Sequence, residues 1–132
     1  MAEAIRRNEY SELASLTKNA LKNSYLADGR PWVVAYSGGK DSTLVLHLVY
    51  EVLVELGPEA FKPVYVISSD TQVEAPIVVD YVSNVLSAVR ADARTRNIPL
   101  TYEMVRPEVS ETFWSKIIGR GYPPPTRWFR WC

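Results

Sequence analysis

Residues 31–57 read PWVVAYSGGKDSTLVLHLVYEVLVELG, a strand-like run, a short polar hexapeptide and a helix-like run. The first run, Pro31 to Tyr36, is rich in β-branched and aromatic side chains, which predicts a strand buried on both faces. After SGGKDS, apolar side chains recur at helical spacing until Gly57 and Pro58 interrupt them: Leu44, Val45, Leu48, Val49, Val52, Leu53 and Leu56. The hexapeptide, residues 37–42, therefore lies on a turn from a strand into a helix.

This turn has the chemistry of a phosphate-binding loop. The first N–H groups of a helix lack internal partners, and the helix dipole adds roughly half a positive charge there, so anions bind well. The hexapeptide adds two glycines that can curl closely around a phosphate, two hydroxyls and an ammonium group: Gly38, Gly39, Ser37, Ser42 and Lys40. The alternative is a tight Gly-Gly turn in which Asp41 or Ser42 only caps the helix.

Two common nucleotide loops do not fit the hexapeptide. A Walker A loop needs a glycine where Val34 stands and a Ser or Thr where Asp41 stands. The dinucleotide fingerprint fails because the next glycine after the pair is Gly57. What remains, SGGxDS after a strand, resembles the PP-loop of the N-type ATP pyrophosphatases and of the phosphoadenosine phosphosulfate reductase superfamily. The resemblance implies that the loop holds the β and γ phosphates of ATP, or the equivalent groups of an adenylated sulfate.

Composition limits the other possibilities. The chain has 132 residues, enough for one domain, and its 47% hydrophobic content is enough for a packed core. Fifteen basic and fifteen acidic residues cancel, so net charge points to neither nucleic acid nor a membrane. The N-terminus has no apolar signal region, and one cysteine excludes an intrachain disulfide. We expect a cytoplasmic protein that does not bind a membrane.

The remaining pattern predicts alternating helices and strands. We expect a helix from Asn8 to Leu26, strands from Val64 to Ser69 and from Leu100 to Val105, a helix from Ile77 to Arg96, and a short helix from Glu111 to Ile118 capped by Ser110. This order indicates an α/β fold with a parallel sheet and helices on both faces. We divide the chain into an N-terminal helix, residues 1–30, and a PP-loop ATP pyrophosphatase domain, residues 31–132.

A polar loop, SSDTQVEAP, follows the second predicted strand at residues 68–76. Thr71 and Glu74 have capping-box spacing, but Pro76 would then stand inside the helix, so a helix start near Ala75 is favoured. Ligands of parallel sheets bind beyond the carboxyl ends of strands, which places this loop at the site. Asp70 is suited to a sugar hydroxyl, a ring amine or Mg²⁺. The alternative is a purely local turn.

Four ring-bearing side chains in the predicted helices and strands are assigned to packing rather than to chemistry. His47 lies in a largely apolar helix, where a lone histidine is more often packed and hydrogen-bonded than catalytic. Tyr50, Tyr65 and Tyr81 are predicted in the core or at its edge.

The C-terminal stretch mixes cations and aromatic residues. In TFWSKIIGRGYPPPTRWFRWC, residues 112–132, no carboxylate accompanies Lys116, Arg120, Arg127 and Arg130. Arginines with Trp128, Phe129 and Trp131 between them suit a phosphate or nucleic-acid backbone. The alternative is that the aliphatic parts of the arginine side chains pack around a hydrophobic cluster.

Three segments together, AYSGGKDST, SSDTQVEAP and GRGYPPPTRWFRWC, resemble the DndC-type sulfurtransferases of bacterial DNA phosphorothioation systems over roughly residues 10 to 132. The resemblance implies an ATP pyrophosphatase that adenylates a DNA backbone phosphate and exchanges one of its oxygens for sulfur. It also implies two kinds of protein partner: a cysteine desulfurase, which supplies the sulfur, and other phosphorothioation subunits. Its implied ATP contacts are Tyr36, Ser37, Gly38, Gly39, Lys40, Asp41, Ser42, Ser69, Asp70 and Thr71. Lys40 and Asp41 are the expected catalytic residues.

The same resemblance implies further ligands. Mg²⁺ is expected on Asp41 or Asp70, and DNA phosphate on Arg120, Arg127 and Arg130. The family is also expected to carry a [4Fe–4S] cluster, whose first ligand matches Cys132. A cluster takes four thiolates and this chain has one, so we expect the cluster only in a longer protein.

Two other functions remain open at this point. One is reduction of an adenylylsulfate or phosphoadenylylsulfate by Cys132, which requires a lowered thiol pKa and a redox partner. The other is a non-catalytic ATP-binding assembly subunit of a DNA-modification complex. Three predicted strands are few for a pyrophosphatase sheet, so we expect an N-terminal fragment whose exposed sheet edge favours a homo-oligomer.

Overall fold

A computed structural model describes residues 2–128 as an α/β fold with a parallel sheet. The helices are α1 (Ala2–Leu26), α2 (Lys40–Leu56) and α3 (Pro76–Thr95), and the strands are β1 (Trp32–Ala35), β2 (Val64–Ser69) and β3 (Leu100–Val105). The predicted bounds of β2 and β3 are confirmed. Gly57 ends α2, as its position in the sequence predicts, with its N–H bonded to the Leu53 carbonyl.

The sheet has the order β1-β2-β3, and both pairs are parallel. Val34 lies beside Val66, and Val64 beside Leu100, so residues of even number share one face. Pairing continues one residue past the ends of β1 and β2: the Tyr36 N–H donates to the Ile67 carbonyl and the Asp70 N–H to the Val105 carbonyl. The three strand tips are thereby held in register under the polar loops.

Burial alternates along the strands, which corrects the prediction of helices on both faces. The even-numbered face is packed under the helices, whereas Val33 on the other face is 64% exposed, and Tyr65 and Val105 are also exposed. Successive right-handed crossovers that run in one direction place α2 and α3 on the same side of the sheet. An all-apolar run such as WVVA therefore forms a half-exposed strand here, not a doubly buried one.

Helix α1 packs against α2. Tyr25, near the end of α1, is hydrogen-bonded to Lys62, which lies just before β2. The Tyr25 hydroxyl donates to the Lys62 carbonyl at 2.6 Å and accepts from the Lys62 N–H at 3.0 Å. The Lys62 side chain is 1% exposed and lies over the rings of Tyr25 and Trp32, with Asp28 Oδ1 at 3.1 Å from its ammonium nitrogen. Asp28 therefore neutralises a buried cation at the end of α1.

The predicted short helix from Glu111 to Ile118 is present but shifted by two residues: residues 113–120 are helical, and their centre is a π-helical turn. A 3-10 turn spans Val109–Glu111 and contains Ser110, and a π-helical turn spans Ser115–Gly119. Thr112 rather than Ser110 serves this segment: its hydroxyl oxygen donates to the Val109 carbonyl and accepts from the Ser115 N–H. Thr112 therefore takes the capping role that was predicted for Ser110.

We expect Asp28→Asn to make folding less sensitive to acid. Hydrogen bonds from Arg30, and then from Lys62, lower the pKa of Asp28 to about 2 from its ordinary 3.8. A carboxyl group with a lowered folded pKa contributes stability above the unfolded pKa, and that contribution is lost as pH falls from about 4 to about 2. The variant should be less stable at pH 7 but lose less stability between pH 4 and pH 2. Urea unfolding across this range measures both effects.

The matched control is Asp80→Asn, at an exposed position on α3. An acid profile of Asp28→Asn that parallels that of the unmodified chain would contradict the role given to Asp28.

Candidate functional site

The predicted phosphate loop lies between β1 and α2 with the helix terminus uncapped. Gly39 stands at the N-cap position, and no side chain in the described part of the chain makes a capping hydrogen bond there. Ser42 instead stabilises the loop, because its hydroxyl oxygen accepts from the Ser37 N–H at 3.3 Å and donates to the Gly39 carbonyl at 3.0 Å. Neither Asp41 nor Ser42 caps the helix, so the alternative role for these residues is not observed.

Gly38 is held in a conformation and a space that only glycine fits. Its φ is +77°, and a Cβ built there would lie 2.6 Å from Cγ2 of Val82 on α3. Gly39 differs, with φ −76° and only the Ser37 hydroxyl at 3.5 Å. The loop backbone is thereby packed directly against α3.

A pocket of about 550 Å³, here called the main pocket, opens at the strand tips beside this loop. Its lining is mostly apolar on the side of α3 and polar at the loops: Ala35, Tyr36, Ser37, Ser42, Ile67, Ser68, Ser69, Asp70, Thr71, Glu74, Val78, Val79, Val82 and Met104. Six of the predicted ATP contacts lie together here: Tyr36, Ser37, Ser42, Ser69, Asp70 and Thr71. The pocket combines an apolar wall with a helix N-terminus.

The predicted catalytic pair lies on the outer side of the loop. Lys40 and Asp41 form an ion pair at 3.0 Å, and their side chains are 92% and 89% exposed. Neither side chain lines the main pocket. Lys40 is the first residue of α2, so its ammonium group belongs to a residue directly next to the loop amides. Its exposed ion pair with Asp41 contributes little stability.

The loop after β2 is tightly organised by its own side chains. Asp70 Oδ1 accepts from the Gln72 N–H at 3.0 Å, Gln72 has φ +64°, and the Thr71 hydroxyl donates to the Glu74 carboxylate at 2.6 Å. Helix α3 starts at Pro76 with Ala75 as its N-cap, which confirms the argument from proline. The capping box between Thr71 and Glu74 does not form.

Arg106 is a site residue that the sequence analysis missed. Its Nε donates to Asp70 Oδ2 at 2.9 Å, so both carboxylate oxygens of Asp70 have partners. The signal was available, because Arg106 directly follows β3 as Asp70 follows β2, and tips of adjacent parallel strands lie side by side. The guanidinium makes Asp70 a poorer metal ligand than its position alone predicts.

His47 is exposed rather than packed, which corrects its assignment to the helix interior. Its Nε2 lies 3.3 Å from Glu51 on the next turn of α2. Tyr65 and Tyr81 are also exposed, whereas Tyr50 is half-buried with its hydroxyl on Asp92. Burial, and then this carboxylate, raise the pKa of Tyr50 to about 12.

The basic C-terminal stretch is partly neutralised by a carboxylate that lies just outside it. Glu111, one residue before it, pairs with Lys116 at 2.7 Å and with Arg120 at 3.2 Å, and these cations lower the pKa of Glu111. Arg127 is exposed, and neither it nor Arg120 lines the main pocket. Arg130 and Cys132 lie outside the described residues. The structure therefore does not bring the predicted DNA-phosphate arginines to the strand tips within the described range.

Two features are absent from residues 2–128. No group of three or more His, Cys, Asp or Glu side chains there could hold a metal ion. None of the described helices is long and apolar enough to cross a membrane.

We expect Gly38→Ala to destabilise the protein far more than Gly39→Ala. A left-handed φ costs an alanine about 1–2 kcal/mol, and the contact with Val82 adds to this. Gly39→Ala, the matched control, should cost less than about 1 kcal/mol. Chemical denaturation measures both differences. Combining Gly38→Ala with Val82→Ala should recover part of the contact cost, and strictly additive effects would show that Val82 is not the obstacle.

No family model matches this chain, and no curated protein does. Among solved structures the chain is similar to a protein from the universal stress protein family from Burkholderia pseudomallei. The two share 19% identity with a TM-score of 0.38, over 70% of this chain and 76% of the other. A likeness of this size carries no argument about function, which rests on the geometry of the loop and the main pocket.

Proposed function

We propose that this chain binds ATP and acts as a PP-loop ATP pyrophosphatase that transfers the adenylyl group to an acceptor phosphate. One observation carries the proposal: an uncapped helix N-terminus, bordered by two glycines, adjoins a largely apolar pocket at the tips of a parallel sheet. Such a terminus favours a polyphosphate, and such a pocket favours an aromatic base.

The two parts of the main pocket suit the two parts of ATP. The side of Val78, Val79 and Met104 offers apolar surface to adenine, and the Ser37 and Ser42 hydroxyls lie on the phosphate side. Ser69 and Thr71 add polar groups to the same lining. A nucleotide placed this way has its β and γ phosphates at the N-terminus of α2.

The proposed reaction is substitution at the α phosphorus. An oxygen of the acceptor phosphate attacks it, a new P–O–P bond forms, and the bond to the β phosphate breaks so that its electron pair leaves with pyrophosphate. An anionic phosphodiester oxygen needs no general base. Loop amides and the Lys40 ammonium stabilise the charge that develops on pyrophosphate, so catalysis is positioning and electrostatics.

Of the two carboxylates expected to hold Mg²⁺, Asp41 fits better. Within residues 2–128 it pairs with the exposed Lys40 alone, whereas both oxygens of Asp70 are engaged by Gln72 and Arg106. When bound, Mg²⁺ would neutralise charge on the phosphate oxygens.

The finer assignment, to the DndC-type sulfurtransferases of DNA phosphorothioation, rests on the resemblance of three sequence segments. On that proposal the acceptor is a DNA backbone phosphate, and a cysteine desulfurase supplies the sulfur. Cys132 alone does not make a [4Fe–4S] site, and no step above passes through one.

We expect Ser42→Ala to weaken ATP binding about 10-fold or more, because it removes both the loop hydrogen bonds and a phosphate donor. Lys40→Ala should slow pyrophosphate release at saturating ATP, because a charge-assisted contact to the leaving group is lost. Calorimetry with ATP and a pyrophosphate assay with DNA as acceptor measure the two effects. Ser87→Ala and Arg94→Ala on α3 are the matched controls.

The outcomes separate the competing functions. ATP binding without cleavage of the α–β bond in the presence of DNA would indicate a non-catalytic ATP-binding subunit. Turnover of adenylylsulfate but not of ATP would indicate the reductase. Unchanged ATP affinity in a folded Ser42→Ala variant would remove the loop from the site.

A further inference from the structure

Arg106 is a cation at the strand tips that has no role in ATP binding as proposed above. Its side chain is 65% exposed, and its Nε donates to Asp70 Oδ2 at 2.9 Å. Asp70 lines the main pocket, and its own side chain is only 10% exposed. Arg106 therefore stands at the edge of the main pocket, anchored at Nε and with most of its side chain open to solvent.

The carboxylate that anchors Arg106 is itself held in place. The Asp70 N–H donates to the Val105 carbonyl at 2.9 Å, and Oδ1 accepts from the Gln72 N–H at 3.0 Å. Within residues 2–128 the contact with Asp70 is the one ion pair of Arg106. A guanidinium that is bonded through Nε keeps its two Nη groups, which form the edge that matches two oxygens of a phosphate. Arg106 thus presents a fixed anion-binding edge.

The strand order places Arg106 and the phosphate loop on opposite sides of the main pocket. The loop follows β1, Asp70 follows β2 and Arg106 follows β3, in a sheet of the order β1-β2-β3. Neighbouring strands lie about 4.8 Å apart, so the tips of β1 and β3 are about 10 Å apart. The main pocket covers this distance, since Ala35 of β1 and Met104 of β3 both line it.

The proposed reaction needs a cation on the β3 side. In displacement at phosphorus the attacking and leaving oxygens are roughly in line, on opposite sides of the phosphorus. Pyrophosphate leaves at the phosphate loop, on the β1 side, and takes the electron pair of the broken bond. The bond from the acceptor oxygen to the α phosphorus must therefore form from the β3 side. Because the acceptor and ATP are both anions, a guanidinium on that side reduces the repulsion between them.

We propose that Arg106 binds the acceptor phosphate, a backbone phosphate of a nucleic acid, through its Nη groups at the β3 side of the main pocket. Asp70 is then a positioning residue for Arg106. The inference rests on the proposed function for the direction of attack and for the class of acceptor. It assigns the acceptor to a cation that contacts the pocket lining, whereas Arg120, expected from the sequence, pairs with Glu111.

Binding of DNA in the absence of ATP tests this contact. A short fluorescein-labelled DNA duplex is titrated with the full chain, and binding is followed by fluorescence anisotropy. We expect Arg106→Ala to weaken binding about 10-fold, since a hydrogen-bonded contact to a charged group is lost. The slope of log affinity against log salt concentration should fall by about 0.9, the contribution of one duplex phosphate. Arg94→Ala, in the last turn of α3, removes the same charge and should change neither quantity.

Two further variants separate the phosphate contact from the anchoring of Asp70. Arg106→Gln removes the charge but keeps a donor for Asp70, so its salt slope should fall as in Arg106→Ala. Arg106→Lys keeps the charge without the planar fork, so the slope should be retained while affinity falls several-fold. Urea unfolding of each variant shows that it is folded.

Three results would overturn the proposal. The first is an unchanged salt slope in folded Arg106→Ala or Arg106→Gln, and the second is no measurable duplex binding by the unmodified chain. The third is displacement of the duplex by inorganic phosphate at an ionic strength at which sodium chloride does not displace it, because Arg106 would then bind a free anion.

Pyrophosphate release distinguishes this proposal from the proposed function. At saturating ATP, Arg106→Ala should raise the KM for the duplex about 10-fold, while calorimetry should show an unchanged ATP affinity because Arg106 does not line the main pocket. Duplex binding through Arg106 without pyrophosphate release would refute the pyrophosphatase and leave the phosphate contact standing. Pyrophosphate release with an unchanged KM for the duplex in Arg106→Ala would do the reverse.

Discussion

The close approach of the Gly38 backbone to Val82 determines the geometry of the candidate site. A backbone with φ +77° and no room for a Cβ places the phosphate loop directly against α3. Because a short loop, residues 70–75, connects β2 to α3, the phosphate loop, the second strand and the α3 wall form one unit.

Local signals predicted α2, α3 and the last two strands well because the ends of these elements are marked by distinctive residues. Gly57 stops α2, Pro76 starts α3, and β2 and β3 have their predicted bounds. The coverage of the sheet was predicted wrongly, since it depends on strand order, which no local pattern contains. The run WVVA is apolar at every position, so its composition cannot distinguish burial on both faces from the alternating burial that the structure has.

Contacts in the candidate site were predictable between residues that are close in the chain. Contacts between residues that only the fold brings together were not. Ser37 and Ser42 meet because the glycine turn between them leads directly into the first turn of α2. Asp70 and Arg106 are 36 residues apart, and their pairing follows only once β2 and β3 are known to be adjacent and in register. Glu111 illustrates the same limit, because it neutralises Lys116 from just outside the stretch in which no carboxylate was found.

Tyr36 joins the first strand to the candidate site. It follows β1 directly, lines the main pocket and is 2% exposed. A buried ring in a close-packed interior has little freedom to move, so Tyr36 fixes this part of the pocket lining relative to the phosphate loop that follows it in the chain.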